Sequence, residues 1–376
     1  MDNLAVYIHW PYCARICPYC DFNVYKRRAD DALLPAILQD LVYWRDLSGP
    51  REISSIHFGG GTPSLMTPAQ IEAVVQGVDG LWGLGEVEIA LEANPHEMNA
   101  ADWQGYRAAG LNRLSLGVQS FNDDALKFLG RDHDGQQARA ALDLALEIFP
   151  SVSADLIFGW SGQTDSMLET DLSALLGAGV PHLSTYQLTI EDGTAFAKAQ
   201  GRGQNRAVSA DVSADFYDAV RERFSAAGFE HYEVSNFAKA GHRSQHNLAY
   251  WQGLDYVGIG PGAHGRLTQD GTRQATIAQL TPKAYVQSVQ EKSTGIESRE
   301  TLSSADWSAE YLLMGLRIED GISMSKYATL KGQGLPQAEL AALISDGLLL
   351  RNGDTLKATA TGRLVLNAVT QTLLLA

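Results

Sequence analysis

Tyr7-Ile-His9-Trp-Pro-Tyr-Cys13-Ala-Arg-Ile-Cys17-Pro-Tyr19-Cys20 contains all three cysteines of a 376-residue chain, spaced C-x3-C-x2-C just after a strand-like run from Leu4 to His9. Three thiolates converging from one short loop can hold three irons of a [4Fe-4S] cluster and leave the fourth iron without a protein ligand, open to a small molecule. Structural zinc closes its site with four nitrogen or sulfur ligands. The chain has no second C-x2-C, and the nearby His9 sits on the strand without zinc-finger spacing. An odd number of cysteines crowded into one loop is also a poor disulfide framework.

Working outward from the loop, apolar runs alternate with helical patterns. Strands are expected at Leu4–His9, Ile53–Phe58, Val87–Glu92, Arg113–Gly117, Val152–Phe158 and His182–Leu188. Helices are expected between them at Ala32–Trp44, Pro68–Leu81, Ala101–Ala109, Gln137–Ile148 and Met167–Leu176. Six β/α units in succession predict an α/β fold with parallel strands, either a partial (β/α)6 barrel or an open doubly wound sheet. In either architecture the chemistry belongs at the carboxyl ends of the strands.

Candidate residues fall at those ends. Gly59-Gly60-Gly61-Thr62-Pro63-Ser64 follows the second strand; glycines permit close backbone approach and leave amides free for a ligand, although a plain tight turn reads the same way. Glu92, in Leu-Glu-Ala-Asn-Pro, offers a carboxylate to a ribose hydroxyl or an ammonium, or is a surface charge. Gln119 follows the fourth strand, in Arg113-Leu-Ser-Leu-Gly-Val-Gln119-Ser. Arg131 carries a planar fork suited to a carboxylate, or to a surface ion pair. Asp155 sits near the end of the fifth strand as a ribose contact, a helix cap or a buried hydrogen-bonding group.

This set of motifs resembles the radical S-adenosylmethionine (radical SAM) enzymes, in which an aromatic residue precedes the third cysteine as Tyr19 does here. Within them it is similar to the oxygen-independent coproporphyrinogen III oxidases and the related haem chaperones, from about Ala5 to the C-terminus. The resemblance implies a cluster on Cys13, Cys17 and Cys20, with S-adenosylmethionine contacted by Tyr7, Tyr19, Gly60, Gly61, Thr62, Glu92, Gln119, Arg131 and Asp155. It also implies an electron donor wherever S-adenosylmethionine is cleaved. Gly159-Trp160-Ser161-Gly162 departs from the Gly-Leu-Pro-Gly common in these families.

Two features separate chaperone from oxidase. The oxidases resemble C-x3-C-x2-C-x-C and carry a longer N-terminal extension; this chain has Asp21-Phe22 after Cys20 and twelve residues before Cys13. His246-Asn-Leu-Ala-Tyr250-Trp251 is similar to the H-N-x-x-Y-W motif linked to haem in the chaperones. That likeness implies a histidine ligand for haem iron with aromatic residues packing the macrocycle. Haem, delivered to haem-accepting proteins, is the expected cargo, and oxidative decarboxylation of a porphyrinogen is the alternative. Gly258-Ile-Gly-Pro-Gly262-Ala-His264-Gly is read as a turn lining the cofactor cavity, since its proline speaks against a dinucleotide loop.

Composition narrows the class. A formal charge of −15 argues against non-specific binding to nucleic acid or an anionic membrane surface. No run of 18 apolar residues occurs, and the first strand starts too early for a leader, so a reducing cytoplasm is expected. A homodimer or a membrane-associated chaperone stays open. The expected domains are a core over residues 1–235, an extension and linker over 236–300 with Glu291–Ser304 as the linker proper, and a small α+β, winged-helix-like module over 301–376. In that module, helices are expected at Ala309–Ile318, Gln337–Ile344 and from Thr361, and Asn352-Gly-Asp354 marks a hairpin. Six Lys/Arg against seven Asp/Glu from Thr301 onward disfavour DNA reading.

Overall fold

A computed structural model describes residues 3–26, 32–97 and 99–375. Strands β1 (Asn3–Trp10), β2 (Glu52–Gly60), β3 (Glu88–Ala93), β4 (Arg113–Gln119), β5 (Ser151–Phe158) and β6 (His182–Gln187) lie side by side in chain order, all parallel. Crossover helices at Leu33–Ser48, Pro68–Trp82, Ala100–Ala108, Gly135–Ile148 and Asp165–Ala178 cover one face. This is the partial barrel expected from the sequence, with boundaries displaced by only a few residues. The shifted starts follow the caps: Asn99, Asp134 and Thr164 each accept hydrogen bonds from first-turn amides and so set where their helices begin.

Side chains alternate along each strand. Leu4, Val6, Ile8 and Trp10 of β1 point into the core beneath the helices, as do Ile56 and Phe58 of β2, Leu91 of β3 and Leu114 and Leu116 of β4. The opposite face carries Tyr7 and His9, Ser55 and His57, Glu88 and Glu92, Arg113 and Ser115, Ser153 and Asp155, and His182 and Ser184. Parallel sheets usually bury apolar residues on both faces. A polar inner face therefore costs free energy unless each group is bonded, and marks the lumen as the place of function.

The sheet extends on both sides of the six strands. β7 (Glu230–Glu233) and β8 (Asn236–Ala238) add antiparallel beyond β6. β9 (Asp255–Ile259) pairs parallel with β1, and β10 (His264–Gln269), β11 (Thr272–Ala278) and β12 (Ile296–Thr301) follow antiparallel. The spatial order is β12-β11-β10-β9-β1-β2-β3-β4-β5-β6-β8-β7. One expectation is corrected: Glu291–Ser304 is not simply a linker, because it contains β12. β10 and β11 form a hairpin turned by Asp270 and Gly271 at positive φ. β12 reads as a linker because it is an edge strand with both faces largely in solvent, so nothing selects apolar residues for it.

The helix Gln245–Trp251 packs against β2. Residues from Ser303 onward build a separate core around Leu312, Leu316, Tyr327, Leu340 and Leu356. There the helices Ser304–Gly315, Met324–Lys331 and Gln337–Ser345 pack with a small sheet of β13 (Ile322–Ser323), β14 (Leu349–Asn352) and β15 (Thr355–Ala358). The first helix starts earlier than expected because Ser303 caps it. The final helix is two, Ala360–Leu364 and Leu366–Leu375, broken at Val365.

One buried contact ties the extension to the barrel. Asp40 Oδ2 accepts from Tyr285 Oη at 2.7 Å and Asp40 Oδ1 accepts from the Gly295 amide at 3.2 Å, which joins the Leu33–Ser48 helix to the Pro282–Lys292 helix and the approach to β12. Burial pushes the Asp40 carboxyl up to about 6. Removing one donor leaves that carboxylate less well solvated. Tyr285→Phe is therefore expected to cost about 1–3 kcal/mol, seen as a lower midpoint in urea unfolding.

Candidate functional site

The cysteine loop leaves β1 after Trp10 and is fastened at several points. Tyr25 N donates to Pro11 O at 2.7 Å, Cys20 N to Cys17 O at 3.2 Å, Gly61 N to Trp10 O at 2.7 Å and Thr62 N to Tyr12 O at 2.8 Å. The last two contacts change the reading of the glycine segment. Its amides at Gly61 and Thr62 are spent on the chain's own carbonyls rather than left free. A Cβ on Gly61 would stand 2.7–3.0 Å from the backbone of Trp10, Pro11 and Tyr12, and one on Gly60, at φ 107°, would stand 2.6–2.9 Å from the His9 ring. These glycines let the end of β2 press against the start of the cysteine loop.

Around that loop lies a cavity of about 360 Å³ lined by Cys13, Cys17, Cys20, Tyr19, Gly60, Gly61, Thr62, Glu92, Gln119, Arg131 and Asp155, together with Asn94, Ser115 and Tyr186. The sequence-derived cluster and S-adenosylmethionine residues thus converge, with Tyr7 standing deeper against a neighbouring cavity. Burial raises the Cys13 thiol and pushes Cys20 up to about 11. Loading metal on this loop must therefore release protons.

Arg131 is bound inward. Its Nη1 donates to Cys17 Sγ at 3.3 Å and Tyr19 Oη at 3.4 Å, and its Nη2 donates to Asn94 Oδ1 and to Gly117 O at 3.1 Å. Most of the fork expected for a ligand carboxylate instead positions the cysteine loop, and only the buried Nε lacks a partner. Gln119 has φ 63°, a strained conformation for a side-chain-bearing residue, and its buried Oε1 accepts no bond. An unpaired acceptor held at such a cost in a cavity suits a donor on a bound molecule. The donor set and these orphaned atoms fit a cluster carrying a small polar ligand.

Two carboxylates complete the cavity. Glu92 Oε1 accepts from His57 Nε2 at 3.0 Å. Asp155 accepts from Ser115 Oγ at 3.1 Å, and burial, with Glu92 nearby, pushes its pKa up to about 7. His57 stacks on Tyr7 at 6.1 Å and on His246 at 4.6 Å, the latter with the rings 10° from parallel. No motif in the sequence singles out His57, Asn94 or Ser115. Counting by twos along each strand from Glu92 and Gly59 would have placed Asn94 and His57 on the same face.

His246 is buried, with Nδ1 3.1 Å from Ser55 Oγ and Nε2 2.7 Å from Tyr250 Oη. Burial lowers its pKa, so the ring is neutral, and neither nitrogen is free for iron in this arrangement. Tyr250 and Trp251 instead line the second cavity, of about 350 Å³, with Tyr7, His9, Tyr256, His264, Trp307 and Tyr311. The glycine-rich turn after β9 lines this cavity through Gly262, Ala263 and His264.

The Radical SAM superfamily profile matches residues 7–175, and the HemN C-terminal domain matches residues 302–365. Heme chaperone HemW of Bacillus subtilis is 33% identical across 97% of both chains. HemW of Escherichia coli is 34% identical across 98% of this chain and 97% of its own. The chain belongs to the HemW branch of the radical SAM superfamily. The mitochondrial Radical S-adenosyl methionine domain-containing protein 1 of Danio rerio is 36% identical over 99% of this chain and 87% of its own. The solved structure of the E. coli coproporphyrinogen III oxidase HemN superposes with a TM-score of 0.83 at 24% identity, over 99% of this chain and 90% of that one. That likeness shows a radical SAM barrel with the same C-terminal addition. As a radical SAM protein, the chain falls in a superfamily defined by a [4Fe-4S] cluster and S-adenosylmethionine.

Two outcomes are expected. Gly61→Ala, which sets a methyl against backbone, lowers the cluster content after anaerobic reconstitution, read by iron and sulfide analysis. For Asp155 the pKa rises from 3.8 to about 7 on folding, so the native state binds more protons than the unfolded one across that window and loses stability as pH rises through it. Asp155→Asn removes the loss. Its thermal midpoint falls less than the parent's between pH 4 and pH 8, a relative gain of about 2–4 kcal/mol at the upper end.

Proposed function

We propose that this protein is a haem chaperone built on a radical SAM core, which holds haem and passes it to haem-requiring proteins. The observation that carries this reading is similarity over nearly the whole chain to proteins named heme chaperone HemW. Asp21-Phe22 supports it, standing where the oxidases resemble a further cysteine after the triad.

Cys13, Cys17 and Cys20 are the cluster ligands in this reading, and the cluster, when bound, supplies the electron for reductive cleavage of S-adenosylmethionine. The protein's own residues shape the space around it. Arg131 and Tyr19 hold the cysteine loop in register. Gln119 Oε1 offers an acceptor, and Glu92 and Asp155 offer oxygens to ribose hydroxyls or an ammonium, with Asp155 able to donate as well when protonated. Gly60, Gly61 and Thr62 fix the loop that faces them, and Tyr7 backs His57 and through it Glu92. An external electron donor and a haem-accepting protein are the partners this chemistry requires. Among the described residues no helix is long and apolar enough to cross a membrane.

The structural likeness to HemN makes the oxidase the second reading, and one experiment separates them. Anaerobically reconstituted protein is incubated in parallel with haem and, with reductant and S-adenosylmethionine, with coproporphyrinogen III. A Soret shift with haem and no decarboxylated product are expected. Protoporphyrinogen formed at a catalytic rate would overturn the chaperone reading. Cys17→Ala is expected to lose the cluster, and a full iron and sulfide complement in that variant would sink the ligand assignment.

A further inference from the structure

The second cavity contains a ligand set that the cluster site does not use. Two histidines line it, His9 and His264. Both nitrogens of His9 are taken, Nδ1 by Tyr7 Oη and Nε2 by Asn23 O, each at 3.0 Å. His246, behind the cavity wall, is likewise bonded at both nitrogens. His264 differs: the residue reaches solvent at the cavity's edge, and neither ring nitrogen makes a hydrogen bond among the described residues. Partial burial, with Arg266 beside it, lowers the His264 pKa, which keeps the imidazole neutral near pH 7. That form carries the lone pair a metal takes.

The walls suit a flat, largely apolar molecule with an acidic edge. Tyr250, Trp251, Tyr256, Trp307 and Tyr311 supply aromatic surface. The arginines there are committed: Arg266 pairs with Glu310 at 2.9 Å and Arg273 with Asp255 at 2.9 Å. Lys326 lies outside the lining, beside Tyr311: its Nζ is 4.6 Å from that ring's centre, it feels the Asp255 charge, and it makes no ion pair at contact distance among the described residues.

We infer that the haem cargo is seated in this cavity, with the His264 imidazole on its iron and Lys326 as the partner of a propionate. The inference rests on the chaperone reading and specifies where that function resides. The H-N-x-x-Y-W motif then contributes wall, through Tyr250 and Trp251, rather than the iron ligand. Ligation by His246 would break the hydrogen bond at whichever nitrogen met the iron, to Ser55 or to Tyr250, whereas ligation by His264 breaks none. A space of about 350 Å³ lies near the small end of ligand pockets. A macrocycle held there keeps an edge in solvent, which suits a carrier that must release what it binds.

The test titrates haemin into full-length, cluster-loaded parent, His264→Ala, His264→Met and Lys326→Glu. His264→Ala is expected to weaken binding on the order of tenfold or more and to lose the imidazole-ligated spectrum, with iron and sulfide of the cluster unchanged. His264→Met, which keeps side-chain bulk, shows a shifted Soret band from a sulfur ligand. Lys326→Glu weakens affinity without moving the Soret band, and unchanged affinity there would overturn the propionate contact. Haem bound by His264→Ala with the parent's affinity and spectrum overturns the iron assignment while leaving the chaperone function standing. A parent that binds no haem overturns the function itself.

Discussion

The site depends on the contact between the ends of two adjacent strands. Trp10 and Tyr12 carbonyls accept the Gly61 and Thr62 amides, and this contact leaves no room for a Cβ at Gly61. Everything in the cluster cavity is referred to it. The cysteine loop begins there, Arg131 reaches across from beyond β4 to hold Cys17 and Tyr19, and Asn94 receives the same guanidinium from the end of β3. Three thiols and their surroundings thus come from four separate strand ends. Their relative positions follow from the register of β1 through β4, which the apolar outer face enforces.

The lumen beneath handles a different constraint. It buries imidazoles and carboxylates where unpaired charge is expensive. Burial lowers the pKa of His182 and His246 and raises that of Asp155, so the interior favours neutral forms. Hydrogen bonds then satisfy most of them: His182 bonds Ser153 and Tyr232, and His246 bonds Ser55 and Tyr250. The stack of Tyr7, His57 and His246 joins the Glu92 side of the cluster cavity to the helix that walls the aromatic cavity.

Much of this was legible in the chain. The six β/α units were readable because each strand has an apolar outer face and each helix an amphipathic pattern, and the cysteine spacing named its chemistry without a fold. The roles of particular residues were harder to read. Arg131 advertises a carboxylate fork, but only the fold shows Cys17 and Asn94 filling it. The glycine segment promises approach to a ligand, and the structure shows approach to the chain's own backbone instead. His246 is singled out by its motif, yet the motif cannot show that Ser55, 191 residues away in sequence, occupies one of its nitrogens.

β12 concealed itself by its polarity, and that polarity has a physical use. An unclosed barrel ends in two strands, each with a row of unpaired amides and carbonyls that form a template for any foreign strand. At one end, β7 has only four residues; its Glu233 bridges to Ile318, and Tyr232 O accepts from the Glu319 amide, so the C-terminal module covers that border. At the other end no such cover is needed, because β12 presents Glu297, Arg299 and Glu300 to solvent. Charges of both signs on an open border repel a flat apolar strand, and they let the lumen stay open at its seam without making the molecule a nucleus for aggregation.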